Sequence, residues 1–176
     1  AARFWHIARE LEQDSPAHLA SREAAAFLMR LANLPGGYHD YIAWMEAIFP
    51  DAMRSSMTWN GHVTSLASLS ERGDYGHHAE AVRRAVTRAT KLVEAYNEAT
   101  PIAKRIAKEV SLCASRNKAH VTVAFRYSSD IPVAKSFLER YTGFPDGQPF
   151  SSFQDRVAFV NHKELPDILN SGEIPT

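Results

Sequence analysis

A single cysteine, Cys113, in 176 residues excludes an internal disulfide, and no Asn-x-Ser/Thr acceptor for an N-linked sugar occurs. Both absences point to a reducing, cytoplasmic setting. No apolar run approaches the roughly 18–20 residues that cross a bilayer. An excess of one charge is missing as well, because twenty basic residues face twenty acidic ones. Whole-chain charge therefore indicates no polyanion, and any such signal must be local. Neither Gly-x-Gly-x-x-Gly nor Gly-x-x-x-x-Gly-Lys-Ser/Thr occurs, so no segment has backbone free to wrap a pyrophosphate closely. Gly-x-Ser-x-Gly and His-Glu-x-x-His are missing too, which removes the nucleophile elbow and a common zinc-hydrolase helix. The opening Ala-Ala-Arg-Phe-Trp-His has no initiator Met and no signal-peptide core, and reads like the interior of a longer chain or a processed end.

What is present is a globular composition, 45% apolar and 23% charged. The fold class read from it is mixed α and α/β. A mainly helical region covers 1–115, and a βαβ segment of a parallel sheet covers 116–176. In the helical region, Phe4, Ile7, Ala8 and Leu11 recur three and four apart, predicting a helix over 3–12. Asp14-Ser15-Pro16 reads as a break, with Ser21 as N-cap of the next helix and Pro35-Gly36-Gly37 as its end. A third helix runs from Tyr38 to Phe49, with Tyr41, Ile42, Met45 and Ile48 or Phe49 inward. A loop or short helix and then a helix over 61–71 follow. The strongest pattern spans 77–99, with Val82, Ala85 or Val86, Ala89, Leu92 or Val93, and Tyr96 on one face. Thr100-Pro101 opens a helix to about Cys113.

From Asn117 the pattern changes. His120 to Tyr127 is β-branched and aromatic and reads as a strand. Ser128-Ser129-Asp130 reads as the N-cap of a helix to about Tyr141, with Gly143 as its C-terminal stop. Arg156 to Val160 is a second strand, and a short helix over 165–169 closes at Gly172. Strand, helix, strand implies a parallel pair. Two parallel strands make a poor sheet by themselves, so the N-terminal helices must cover the pair or further strands must join it. The expectation is an incomplete sheet belonging to a larger domain.

The local charge is uneven. From Ala81 to Lys118 nine basic residues stand against three acidic ones. Arg84, Arg88 and Lys91 share one helix face, and Lys104, Arg105 and Lys108 share one on the next helix. Such stripes bind phosphate backbones because each neutralised phosphate releases counterions. A solvated outer face is the plainer reading of the same spacing. The carboxyl ends of the two strands, Arg126-Tyr127-Ser128-Ser129 and Asn161-His162, are where ligands sit in open α/β sheets. Asp74, His77, His78 and Glu80 cluster within seven residues, but Ala81 stands where the inverted zinc motif needs its second His. No complete catalytic motif is present, and the expectation is no catalytic residue, no metal ligand set and no cofactor within these residues. Cys113 near Arg116, Lys118 and His120 reads as inert packing rather than a nucleophile. Trp5, Trp44, Trp59, Tyr38 and Tyr41 read as core or inter-helix packing.

Val121-Thr-Val-Ala-Phe125, Arg126-Tyr-Ser-Ser-Asp130, Ala134-Lys-Ser-Phe-Leu-Glu-Arg-Tyr141 and Arg156-Val-Ala-Phe-Val160 resemble the opening of the second RecA-like domain of superfamily 1 and 2 helicases. The likeness spans His120 to Leu169. Phosphate-binding loop, Mg²⁺-binding acidic motif and arginine finger are not in the chain. The resemblance thus implies a nucleic-acid-handling segment whose ATPase motifs lie elsewhere, with Arg126 to Ser129 near a backbone phosphate. The expected function is non-catalytic nucleic-acid binding in a helicase-like protein, through Arg84, Arg88, Lys91, Lys104, Arg105, Lys108, Arg126, Ser128 and Ser129. The alternative is a helical protein-interaction or regulatory domain using the aromatic face at Tyr38–Phe49. A third class is a metal-dependent enzyme at His77, His78 and Glu80.

Overall fold

The computed structural model describes residues 1–115 and 120–171. Arg116, Lys118 and Gly172 therefore lie outside the described residues, as does the side chain of Cys113. The described chain is mixed: helices throughout, with one two-stranded parallel sheet that is not closed. It divides into two compact units. The first comprises 1–33 and 45–97, and the second comprises 34–44 and 98–176. This division departs from a boundary at 115, because residues 34–44 and 98–115 group with the strands.

The first unit contains α1 (Ala2–Glu10), α2 (Pro16–Ala32), α4 (Asp51–Met57), α5 (Trp59–Glu71) and α6 (Ala79–Ala95), with a 3₁₀ turn at Gly76–His78 before α6. Helix α3 (Tyr38–Ile48) crosses the boundary after Trp44. Helix α1 buries Phe4, Ile7 and Ala8, as its spacing requires. Helix α2 begins five residues before Ser21. Ser15 is its N-cap, accepting the His18 N–H at 3.2 Å, and Pro16 fills the first turn where no N–H is needed. The Asp14-Ser15-Pro16 break is thus the start signal itself, and Asp14 takes the left-handed φ of 64° that turns the chain into it.

Ser21 serves a different purpose, fully buried in mid-helix. The Tyr75 hydroxyl donates to the Ala17 carbonyl at 3.2 Å, so its oxygen is left to accept from the Ser21 hydroxyl, also at 3.2 Å. Trp59 is buried, stacks on Phe27 at 5.8 Å, meets Phe4 edge-on at 6.4 Å, and donates from Nε1 to Thr90 Oγ1 at 2.9 Å. One indole thereby joins α5 to α1, α2 and α6. Asn60-Gly61, which reads as a break, lies in the first turn of α5, where the Thr58 hydroxyl accepts the Gly61 N–H. Helix α6 buries Val82, Ala85, Ala89 and Val93.

The His62 ring packs 5.1 Å from Phe27. Burial lowers its pKa below the ordinary imidazole value, against the opposing field of Glu23. As pH falls through the ordinary range, the unfolded chain binds a proton that the folded unit does not. His62 therefore contributes a loss of folding stability as pH falls through and below the window in which a free imidazole titrates. The urea midpoint of the wild-type protein should drop across that window, and His62→Gln should flatten the drop. Equal slopes in the two proteins would remove His62 as its source.

The second unit holds residues 34–44, α7 (Pro101–Ser115), β1 (Val121–Phe125), α8 (Asp130–Arg140), β2 (Val157–Asn161) and α9 (Leu165–Ser171). The strands pair in parallel, with Val121 opposite Val157 and Phe125 opposite Asn161. Their core comes from Ala103, Ala107 and Val110 of α7, Phe137 and Leu138 of α8, Val157, and three phenylalanines, 144, 150 and 153, from the connection between α8 and β2. Thr122 and Ala124 on the other side of β1 are exposed, whereas Ala158 and Val160 of β2 are buried.

Three local expectations change here. Ser129 makes no side-chain cap, and α8 instead opens with the Asp130 N–H on the Tyr127 carbonyl and the Ile131 N–H on that of Ser128. Its end is Tyr141 in extended conformation, not Gly143. Pro35-Gly36-Gly37 is more than a terminator, since residues 34–37 are all buried. A Cβ on Gly36 would lie 2.9 Å from both Val133 Cγ1 and the Val133 carbonyl, so only glycine lets the backbone approach α8 this closely. Thr100 holds the same segment: its hydroxyl donates to the Leu34 carbonyl and accepts the Ala103 N–H at 3.1 Å as N-cap of α7. Tyr41 and Met45 of α3 are buried as expected, and of the alternatives Ile48 and Phe49 it is Phe49 that is half-buried, Ile48 being 57% exposed.

Candidate nucleic-acid interface

Helix α6 turns its apolar stripe inward, which leaves Arg84, Arg88 and Lys91 exposed on its outer side. Arg84 and Arg88 do not stand alone there. They line a groove of about 280 Å³ with Arg3 of α1, over a floor that includes Phe4, Leu28 and Leu92. Arg84 Nε lies 3.8 Å from Glu80, an exposed and loosely held pair whose carboxylate is closer to Arg83, at 3.0 Å. Arg3 and Arg88 make no ion pair among the described residues. Three arginines from two helices thus line one groove of mixed polar and apolar character.

Lys104, Arg105 and Lys108 are exposed on α7, opposite the buried Ala103, Ala107 and Val110. Arg105 is engaged with Glu109 at 2.7 Å. These three belong to the second unit, while Arg84, Arg88 and Lys91 belong to the first. The basic run is accordingly two sets, one in each unit.

Arg126, Ser128 and Ser129 follow β1 and line a cavity of about 470 Å³ with Asn161, Lys163 and Glu164 from the end of β2. The parallel pairing brings these two strand ends together, as the topology rule requires. Much of the polar capacity here is already spent. Asn161 donates from Nδ2 to Ser128 Oγ at 3.1 Å and accepts the Lys163 N–H at 3.0 Å. Glu164 accepts the Asn161 N–H at 2.8 Å and sets a carboxylate beside Lys163. The Arg126 guanidinium lies over the Tyr127 ring at 5.4 Å. This cavity is less cationic than the α1/α6 groove.

Sequence reasoning missed Arg3. Its helix carries no basic stripe, so no spacing signal connects it to residues eighty positions away. Glu80 also falls elsewhere than expected, beside Arg83 and Arg84. Comparison with protein-family models, with curated proteins and with solved structures gives no match. No helix among the described residues is long and apolar enough to cross a membrane.

Proposed function

We propose that the chain is a non-catalytic, nucleic-acid-binding segment of a helicase-like nucleic-acid-processing protein, and that its phosphate-binding surface is the groove between α1 and α6. The observation that supports this is the convergence of Arg3, Arg84 and Arg88 on one cleft. Guanidinium forks match phosphate oxygens in bidentate geometry, and Phe4, Leu28 and Leu92 add apolar surface that a sugar or base edge can meet. Contacts of this kind set position and affinity without reading sequence. The likeness of residues 120–169 to a helicase RecA-like domain supports the same class of ligand, with Arg126, Ser128, Ser129 and the α7 cations as further contacts.

Fluorescence anisotropy with a mixed-sequence single-stranded oligonucleotide tests the proposal. The three groove arginines by themselves contribute about −2 to the slope of log affinity against log salt, and contacts in the second unit steepen it. Raising salt fourfold should then weaken binding at least roughly twentyfold. Arg84→Ala with Arg88→Ala should make that slope shallower by about 1.4 and weaken low-salt binding. Lys104→Ala with Lys108→Ala reports separately on the second unit. No binding at low salt, or binding indifferent to the arginine pair, would overturn the α1/α6 assignment.

A further inference from the structure

We infer that Glu10, His77 and His78 form a binding site for a divalent transition-metal ion of the zinc class. The inference is independent of the nucleic-acid reading. Glu10 ends α1, and the two histidines occupy the 3₁₀ turn that opens α6, nearly seventy residues later. The turn is built to hold its place. Gly73 and Gly76 adopt left-handed φ values of 82° and 49°, a conformation costly for other residues. Between them Tyr75 is 1% exposed and tied by its hydroxyl to Ser21 and the Ala17 carbonyl. The backbone carrying His77 and His78 is therefore anchored to α2, against which α1 also packs.

One ligand atom from each of Glu10, His77 and His78 lies within 4.8 Å of the others. His78 is buried, with Nε2 3.5 Å from Glu10 Oε2, and the two imidazole rings are 3.8 Å apart. Ligands at about 2.0–2.2 Å around a tetrahedral ion are about 3.4 Å from one another, so small side-chain rotations close the set. Two imidazoles and one carboxylate suit zinc and its neighbours rather than magnesium or calcium, which prefer oxygen. The other Glu10 oxygen is 3.1 Å from His6 Nε2, an outer partner that orients the carboxylate. The acids nearest the histidines in sequence are engaged elsewhere, Asp74 with Arg72 and Glu80 with Arg83. His77 and Glu10 are exposed, which leaves the fourth coordination position to water.

The test is calorimetric titration of zinc chloride into the untagged, EDTA-dialysed 176-residue chain. The expected result is one ion per chain, with affinity reduced at least about tenfold in His77→Ala and in Glu10→Gln. Both substitutions fall on exposed side chains, and circular dichroism checks that each variant folds. His162→Ala, an exposed histidine of the second unit, should bind as wild type. Cobalt in place of zinc should show tetrahedral ligand-field bands that His77→Ala abolishes. Absence of binding in the wild-type chain, or retention of full affinity in the two variants, overturns the site.

Discussion

Asp40→Ala is expected to destabilise the second unit by about 3 kcal/mol, read as a lowered urea midpoint. The Asp40 carboxylate is fully buried. It accepts the Gly37 N–H at 2.7 Å, the Ser136 hydroxyl at 3.1 Å, and Arg140 Nε and Nη2, both at 2.9 Å. Every one of these donors would lose its acceptor in the alanine variant. Removing one partner of a buried pair typically costs about 3–5 kcal/mol. The low end applies because the Arg140 side chain is 33% exposed and keeps Glu98, whose carboxylate lies 2.9 Å away and whose backbone carbonyl also accepts from it. The hydrogen bonds to Asp40 are the main cause of a raised Arg140 pKa, with burial acting the other way. Asp40→Asn retains one acceptor oxygen and should lose less. A loss below about 1 kcal/mol for Asp40→Ala would place the pair with ordinary solvent-screened surface bridges.

Phe153→Ala should cost about 3–5 kcal/mol in the same unit, the usual range for emptying a buried aromatic site. Phe153 is fully buried and meets Phe144 edge-on at 5.0 Å and Phe150 at 5.6 Å. A two-stranded parallel sheet buries little by itself. The residues between α8 and β2 supply the mass that covers it. The loss should appear as a lowered urea midpoint and thermal transition, whereas Asp155→Ala, two residues on and exposed, should leave both nearly unchanged. If Phe153→Ala behaved like Asp155→Ala, the aromatic cluster would not be the core of this unit.

The segments behind these two predictions differ in how plainly they read beforehand. Val82, Ala85, Ala89 and Val93 announce α6 because helical period is a local property, carried by residues within one or two turns. The strands at Val121 and Val157 are legible for the same reason, as is the mixed fold class. Phe144, Phe150 and Phe153 are not, because an irregular connection has no hydrophobic period to mark which residues turn inward. Nothing local singles out Asp40, because its partner Arg140 stands a hundred residues away. At the candidate interface, Arg84 and Arg88 are visible as a stripe, but the groove exists only once Arg3 faces them.

Local order along this chain follows from its own side-chain pattern: which stretches coil, which extend, where serine, proline and glycine start or stop them. The tertiary structure decided the partnerships. It assigned residues 34–44 to the unit of α7 and α8, brought Glu10 to His77 and His78, and closed a cationic cleft between α1 and α6. Such pairings depend on the summed packing of many residues distant along the chain, weighed against the entropy of closing the loops between them. No single stretch of residues carries that sum.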